Sequence, residues 1–150
     1  MGALADAALQ GGAAVTGVMP HGLIRREVAH PGLTEFHAVD SMHARKALMA
    51  DLADAFVALP GGYGTLDELF EILTWAQLGL HAKPVAVLDT GAFFAPLLAA
   101  LDHGVAEGFL HPAHRRLLLR EGDAEALLDR LSAWRPDPAV SKWEGGDLAR

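Results

Sequence analysis

The chain has no cysteine, which removes disulfides, thiolate nucleophiles and cysteine-ligated metals at once and fits a reducing compartment. Basic residues are scarce: 12 Lys and Arg stand against 19 Asp and Glu, for a formal net charge of −7. A nucleic-acid surface needs a basic patch to displace phosphate counterions, so no nucleic-acid partner is expected. No apolar run approaches the roughly 20 residues that span a bilayer. The first ten residues carry Asp6 and no basic leader segment. The chain therefore reads as soluble and cytoplasmic, without a membrane partner. What it does have is 51% hydrophobic and only 21% charged residues over 150 positions, enough to bury a core in one compact domain.

The apolar pattern alternates between helix-like and strand-like segments. An alanine-rich helix is expected over residues 2–10, stopped by Gly11-Gly12. A strand follows over 13–18, then a loop over 19–33 with a charged centre, Arg25-Arg26-Glu27, and a short strand over 36–39. Asp40-Ser41 offers an N-cap for a helix reaching about residue 53. Strands over 55–59 and 84–88 flank a helix over 65–78 that Gly79 ends; a helix over 94–107, a short strand over 117–119 and a helix over 123–134 complete the domain. Residues 135–150, with Pro136, Pro138 and Gly145-Gly146, read as a tail. Strands that are continuous apolar runs separated by helices predict an α/β fold with a parallel sheet covered on both faces.

The densest signal is Pro60-Gly61-Gly62-Tyr63-Gly64-Thr65-Leu66-Asp67-Glu68, directly after the third strand. A strand, a glycine-rich turn and a helix start make an anion cradle, because loop amides and the positive end of the helix dipole point the same way. Glu68 adds a carboxylate one helical turn in. Two readings stay open for it. Thr65-x-x-Glu68 also spells a capping box, in which the two residues satisfy each other's backbone amides. The glycines do not form a P-loop, which needs Lys and Ser/Thr after the last glycine, nor a G-x-G-x-x-G fingerprint, since Asp67 stands at its last position. Asp89, after the next strand, could still imitate the ribose-binding acid of dinucleotide sites.

Met42-His43-Ala44-Arg45-Lys46 opens the preceding helix with two cations that oppose its dipole, which reads as a solvated charged face or as a pair facing a ligand anion. The 8 histidines contain no H-E-x-x-H or comparable pair, so no metal is expected, and His111-x-x-His114 reads as a solvated turn. Phe70 and Trp75 share helical spacing with Leu66, Leu69 and Leu73 and read as core. Ser41, Ser132 and Ser141 lack the G-x-S-x-G context of a hydrolase nucleophile.

Taken together, Pro60-Gly61-Gly62-x-Gly64-Thr65-x-x-Glu68 and Met42-His43-x-Arg45-Lys46 resemble the LOG ("Lonely guy") family of cytokinin-activating phosphoribohydrolases. Gly17-Val18-Met19-Pro20, Thr74-Trp75-Ala76-Gln77-Leu78-Gly79 and His81-x-Lys83-Pro84 reinforce the likeness, which runs to about Phe109. The resemblance implies a Rossmann-like, doubly wound parallel sheet in a single domain over residues 1–134. It also implies a hydrolase that splits the N-glycosidic bond of a nucleoside 5′-monophosphate, releasing N6-substituted adenine or, from AMP, adenine, together with ribose 5-phosphate. By motif, Arg45 and Glu68 would be catalytic, with Met42, Lys46, Pro60, Gly61, Gly62, Tyr63, Gly64 and Thr65 binding substrate and its phosphate. No cofactor is implied, and a homodimer with its active site near the interface is.

Many family members are labelled lysine decarboxylases. That chemistry wants an electron sink such as pyridoxal phosphate on a lysine, and Lys46, Lys83 and Lys142 have no recognisable cofactor setting. The alternative within the same fold is a non-catalytic nucleotide or cofactor carrier of the molybdenum-cofactor-carrier type. Such a carrier has no need of both Arg45 and Glu68.

Family members begin with a strand, a helix, a second strand and a glycine-rich turn, of which only Met1-Gly2 remains here. The expectation is a fold truncated at its N-terminus, from a fragment or a miscalled start. The missing strands would belong at the centre of the sheet, between the first two strands present. Partner chains or rearranged strands are the competing way to fill that gap.

Overall fold

The computed structural model describes residues 1–24 and 30–136. The charged centre Arg25-Arg26-Glu27 and the tail beyond Pro136 lie outside the described residues. The chain forms two compact units, Met1–Ala53 and a second that begins at Asp54.

The first unit runs α1 (Gly2–Gln10), β1 (Thr16–Pro20), α2 (His21–Ile24), β2 (Glu35–Val39) and α3 (Met42–Leu52). Helix α1 stops because Gly12 takes a positive φ of 80°, which lets the amides of Gly12 and Ala13 turn back onto the carbonyls of Leu9 and Ala8. His30 ties the following loop to this helix, bonding the Asp6 carboxylate through Nε2 at 2.9 Å while its Nδ1 accepts from the Gly32 amide. Strands β1 and β2 pair in parallel from Thr16↔Glu35 to Pro20↔Val39. This corrects the expected sheet order: the first two strands are hydrogen-bonded neighbours along their whole length, so no strand fits between them. β1 also starts at Thr16 rather than residue 13, and α2 occupies part of the stretch expected to be loop. Helix α3 begins where expected, with the Ser41 hydroxyl accepting from the Ala44 amide at 3.0 Å.

The second unit holds β3 (Phe56–Ala58), α4 (Tyr63–Gln77), β4 (Val85–Leu88), a 3₁₀ turn (Thr90–Ala92), α5 (Ala95–Ala106), α6 (Pro112–Arg115), β5 (Leu118–Glu121) and α7 (Ala124–Ala133). Its three strands are parallel in the order β3-β4-β5. The central strand explains the apolar run that marks it. Ala86 packs with Leu119 and with Leu127 of α7, while Val85 and Val87 point the other way and are equally buried. Leu69, Ile72 and Ala76 from α4 and Phe94 and Leu98 around the start of α5 complete this core. Both sheets are parallel and helices alternate with strands, so the α/β class read from the pattern holds and is consistent with the Rossmann-like fold that the resemblance implies.

Three local expectations change. Phe70 is exposed rather than core, because the buried stripe of α4 runs through Leu69, Ile72 and Ala76. His111-x-x-His114 is a short helix instead of a solvated turn: Pro112 is pre-set for a first helical position, His111 Nδ1 accepts from the Ala113 amide, and Ala113 is buried. β5 lies one to two residues later than expected.

Candidate functional site

In the second unit, all strands of the sheet end at one edge. Ala58 is level with Val87, and Leu88 with Glu121. The segments that leave this edge are the glycine turn after β3, the Asp89–Phe93 turn after β4 and the Gly122-Asp123 link after β5. Ligands of open α/β sheets bind outside such carboxyl ends.

The glycine turn is built by close packing at one glycine and by openness at two others. A Cβ on Gly61 would collide with the Thr65 hydroxyl, so Gly61 lets the turn fold down onto the first turn of α4. Gly62 and Gly64 have negative φ, and among the described residues a Cβ on either would meet nothing within 4 Å. Neither backbone conformation nor packing within the described residues requires glycine at these two positions. Both face open space beside the helix start. The first intrahelical bond of α4 runs from the Leu66 amide to the Gly62 carbonyl at 3.1 Å, so the amides of Tyr63, Gly64 and Thr65 lie ahead of it. Among the described residues no side chain caps this end.

That register settles the competing reading of Glu68. Gly62 is the N-cap and Thr65 the third helical residue, so Thr65-x-x-Glu68 is not a capping box. The helix starts two residues earlier than the sequence pattern indicates, because residue 62, in extended conformation, and not Thr65 is next to its first turn. Glu68 then lies three and four residues beyond Thr65 and Gly64, on their face of the helix, and its Cα–Cβ bond tilts back toward the N-terminal turn. It is half-buried. The structure thus brings Pro60, Gly61, Gly62, Tyr63, Gly64, Thr65 and Glu68 together at one strand end.

Met42, Arg45 and Lys46 belong to the first unit, again just past the carboxyl end of a parallel strand, β2. Met42 is exposed, whereas Arg45 and Lys46 are half-buried, and Arg45 Nε is shut off from solvent. A solvated charged face does not describe them.

Asp89 is accounted for without a ribose. Its carboxylate is fully buried, accepting from the Phe94 amide at 2.6 Å and from Arg120 Nε at 2.7 Å. Both oxygens are committed to holding the turn after β4, which removes the acid that a dinucleotide reading would have used. The turn itself escaped sequence reading as part of the site edge. Its signal was Asp89-Thr90-Gly91 directly after an apolar run, the same strand-then-turn grammar that marks Pro60-Gly61-Gly62.

His81 joins α4 to β4. Its Nδ1 accepts from the Lys83 amide at 3.1 Å, which leaves Nε2 to donate to the Ile72 carbonyl at 2.9 Å, and its ring lies 5.3 Å from that of Phe56. Burial holds the imidazole below its ordinary value; the Lys83 cation acts in the same direction, and the bond to Ile72 opposes it. Among the described residues no group of three or more His, Asp or Glu side chains could hold a metal ion, and no helix is long and apolar enough to cross a membrane.

The sequence profile of the family described as "Possible lysine decarboxylase" matches residues 1–131. Over 148 residues, covering 96% of this chain and 70% of the relative, the sequence is 45% identical to cytokinin riboside 5′-monophosphate phosphoribohydrolase LOG1 of Arabidopsis thaliana. The chain belongs to the LOG family. It is also 50% identical over 129 residues to the cytokinin riboside 5′-monophosphate phosphoribohydrolase of Rhodococcoides fascians, covering 85% of this chain and 65% of that protein. Identity to the LOG protein of Oryza sativa is 47% over 140 residues, or 93% of this chain and 58% of that one. This LOG-family chain thus spans less than two thirds of the length of several relatives it matches.

Proposed function

We propose that this chain is a phosphoribohydrolase that cleaves the N-glycosidic bond of cytokinin riboside 5′-monophosphates and of AMP to free base and ribose 5-phosphate. The observation that carries the reading is the open turn at the start of α4. Two glycines face free space beside three amides that precede the first helical bond, with Glu68 one turn further on the same face. The names of the relatives support the same chemistry.

In this reading the glycine turn, Pro60 to Thr65, takes the 5′-phosphate, whose remote contacts supply energy for positioning the reacting bond. Breaking the C1′–N9 bond sends its electron pair to the base and leaves oxocarbenium character on the ribose. Glu68 stabilises that charge and takes a proton from the water that bonds C1′, while the base nitrogen gains a proton. Arg45 orients substrate through fixed planar donors, aided by Lys46 and Met42. Residues 1–134 act as one domain in a cytoplasmic homodimer, with the active site near the interface.

The test is hydrolysis of N6-isopentenyladenosine 5′-monophosphate and of AMP in ¹⁸O-labelled water. Free base with label at C1 of ribose 5-phosphate supports the reading. Label in inorganic phosphate, or no base released from folded protein, refutes it.

A further inference from the structure

The turn after β4 is held by a dense set of hydrogen bonds centred on Asp89. Asp89 alone commits four groups to it: its amide donates to Glu121 at 2.7 Å, its carbonyl accepts from Ala92 at 3.3 Å, and its two carboxylate oxygens accept from Phe94 and Arg120. The backbone that results is strained. Ala92 has a φ of 58°, the left-handed region that a side chain disfavours, and it is the one such non-glycine residue among those described. Strain of this kind persists only where the surroundings enforce it, and it concentrates at ligand sites.

The strained turn is followed by two adjacent aromatic rings with different surroundings. Phe94 is 1% exposed and anchors the core, whereas Phe93 is 50% exposed. Their rings meet edge to face, with centroids 5.0 Å apart, so the buried ring braces the outer one. Phe93 is therefore braced on one side by Phe94 while half of its surface stays open. It stands on the same sheet edge as the glycine turn, because β3 and β4 are parallel neighbours in register.

We infer that Phe93 is a specificity residue that meets the base of the bound nucleotide. The inference rests on the phosphoribohydrolase reading above. With the phosphate held at the start of α4, the neighbouring turn of the same edge supplies the second anchor point of an extended ligand. Its chemistry is an apolar aromatic face with no hydrogen-bonding group. Such a face stacks on a purine and tolerates an apolar N6 substituent, and it has nothing to offer a phosphate or a ribose hydroxyl.

The experiment compares wild type, Phe93→Ala and Phe93→Trp with N6-isopentenyladenosine 5′-monophosphate and AMP, and measures inhibition by ribose 5-phosphate, which lacks a base. The expected result is a KM raised roughly 10-fold in Phe93→Ala, restored in Phe93→Trp, with inhibition by ribose 5-phosphate unchanged. Active wild type with an unaltered KM in Phe93→Ala overturns the inference alone. So does an equal weakening of substrate and ribose 5-phosphate, since the turn would then only shape the phosphate site. Wild type that hydrolyses neither nucleotide overturns the phosphoribohydrolase reading, and this inference with it.

Discussion

Gly64→Ala should make the protein more stable and its active site worse. Gly64 is the second residue of α4, its φ is negative, and an added Cβ meets nothing within 4 Å among the described residues. Alanine there restricts the unfolded chain and favours the helix, a gain of about 0.5–1 kcal/mol. With a urea dependence near 2 kcal/mol/M, the unfolding midpoint rises by about 0.3–0.5 M. The same methyl group occupies the space into which the proposed phosphate must come. Loss of even one charge-assisted amide–phosphate hydrogen bond, about 1.5–3 kcal/mol, raises KM roughly 10- to 100-fold. Gly61→Ala has the opposite origin: its Cβ strikes Thr65, so stability falls by about 1–3 kcal/mol. Urea titration and initial-rate kinetics on the two variants separate these effects. A Gly64→Ala protein that is stabilised and keeps its KM would refute the argument that open space at this glycine is ligand space.

Asp89→Ala removes a buried carboxylate that caps the Phe94 amide and pairs with half-exposed Arg120. A loss of about 2–4 kcal/mol is expected in chemical denaturation, mostly from the stranded amide and the turn; a loss under about 0.5 kcal/mol would mean the turn holds itself. His81 links stability to pH. Its folded value lies below the ordinary 6.5, so the folded state binds fewer protons than the unfolded chain between the two values. The stability it contributes is therefore complete above about pH 6.5 and declines as pH falls through that window. Denaturation midpoints at pH 7.5 and 5.5 should fall further in wild type than in His81→Gln, and equal falls would contradict the assignment.

The α/β class and the strand–turn–helix junction at residues 55–68 were legible because each rests on local chemistry: buried strands read as apolar runs, and glycines mark the turn. Sheet order was not legible. Nothing in the residues of β1 and β2 announces that they pair directly, since pairing depends on contacts distant in sequence. The start of α4 was missed by two residues because Thr65 and Glu68 mimic a capping box, and only the backbone at Gly62 shows that the helix has already begun. Asp89 left a second reading open for a related reason. An acid after a strand looks alike whether it holds a ribose or its own turn, and the burial of its carboxylate decides the matter. Phe93 and Phe94 are identical as letters, and only the folded chain shows that one ring is buried and the other half exposed.

The most direct measurement of the central claim is the rate at which free base is released from N6-isopentenyladenosine 5′-monophosphate by wild type and by Glu68→Gln, with folding of both checked by circular dichroism. Loss of a carboxylate that activates water lowers kcat by about 10²–10⁴-fold, so the account predicts base release by wild type and a drop of that size in a folded variant. Near-equal turnover by the two proteins would contradict it.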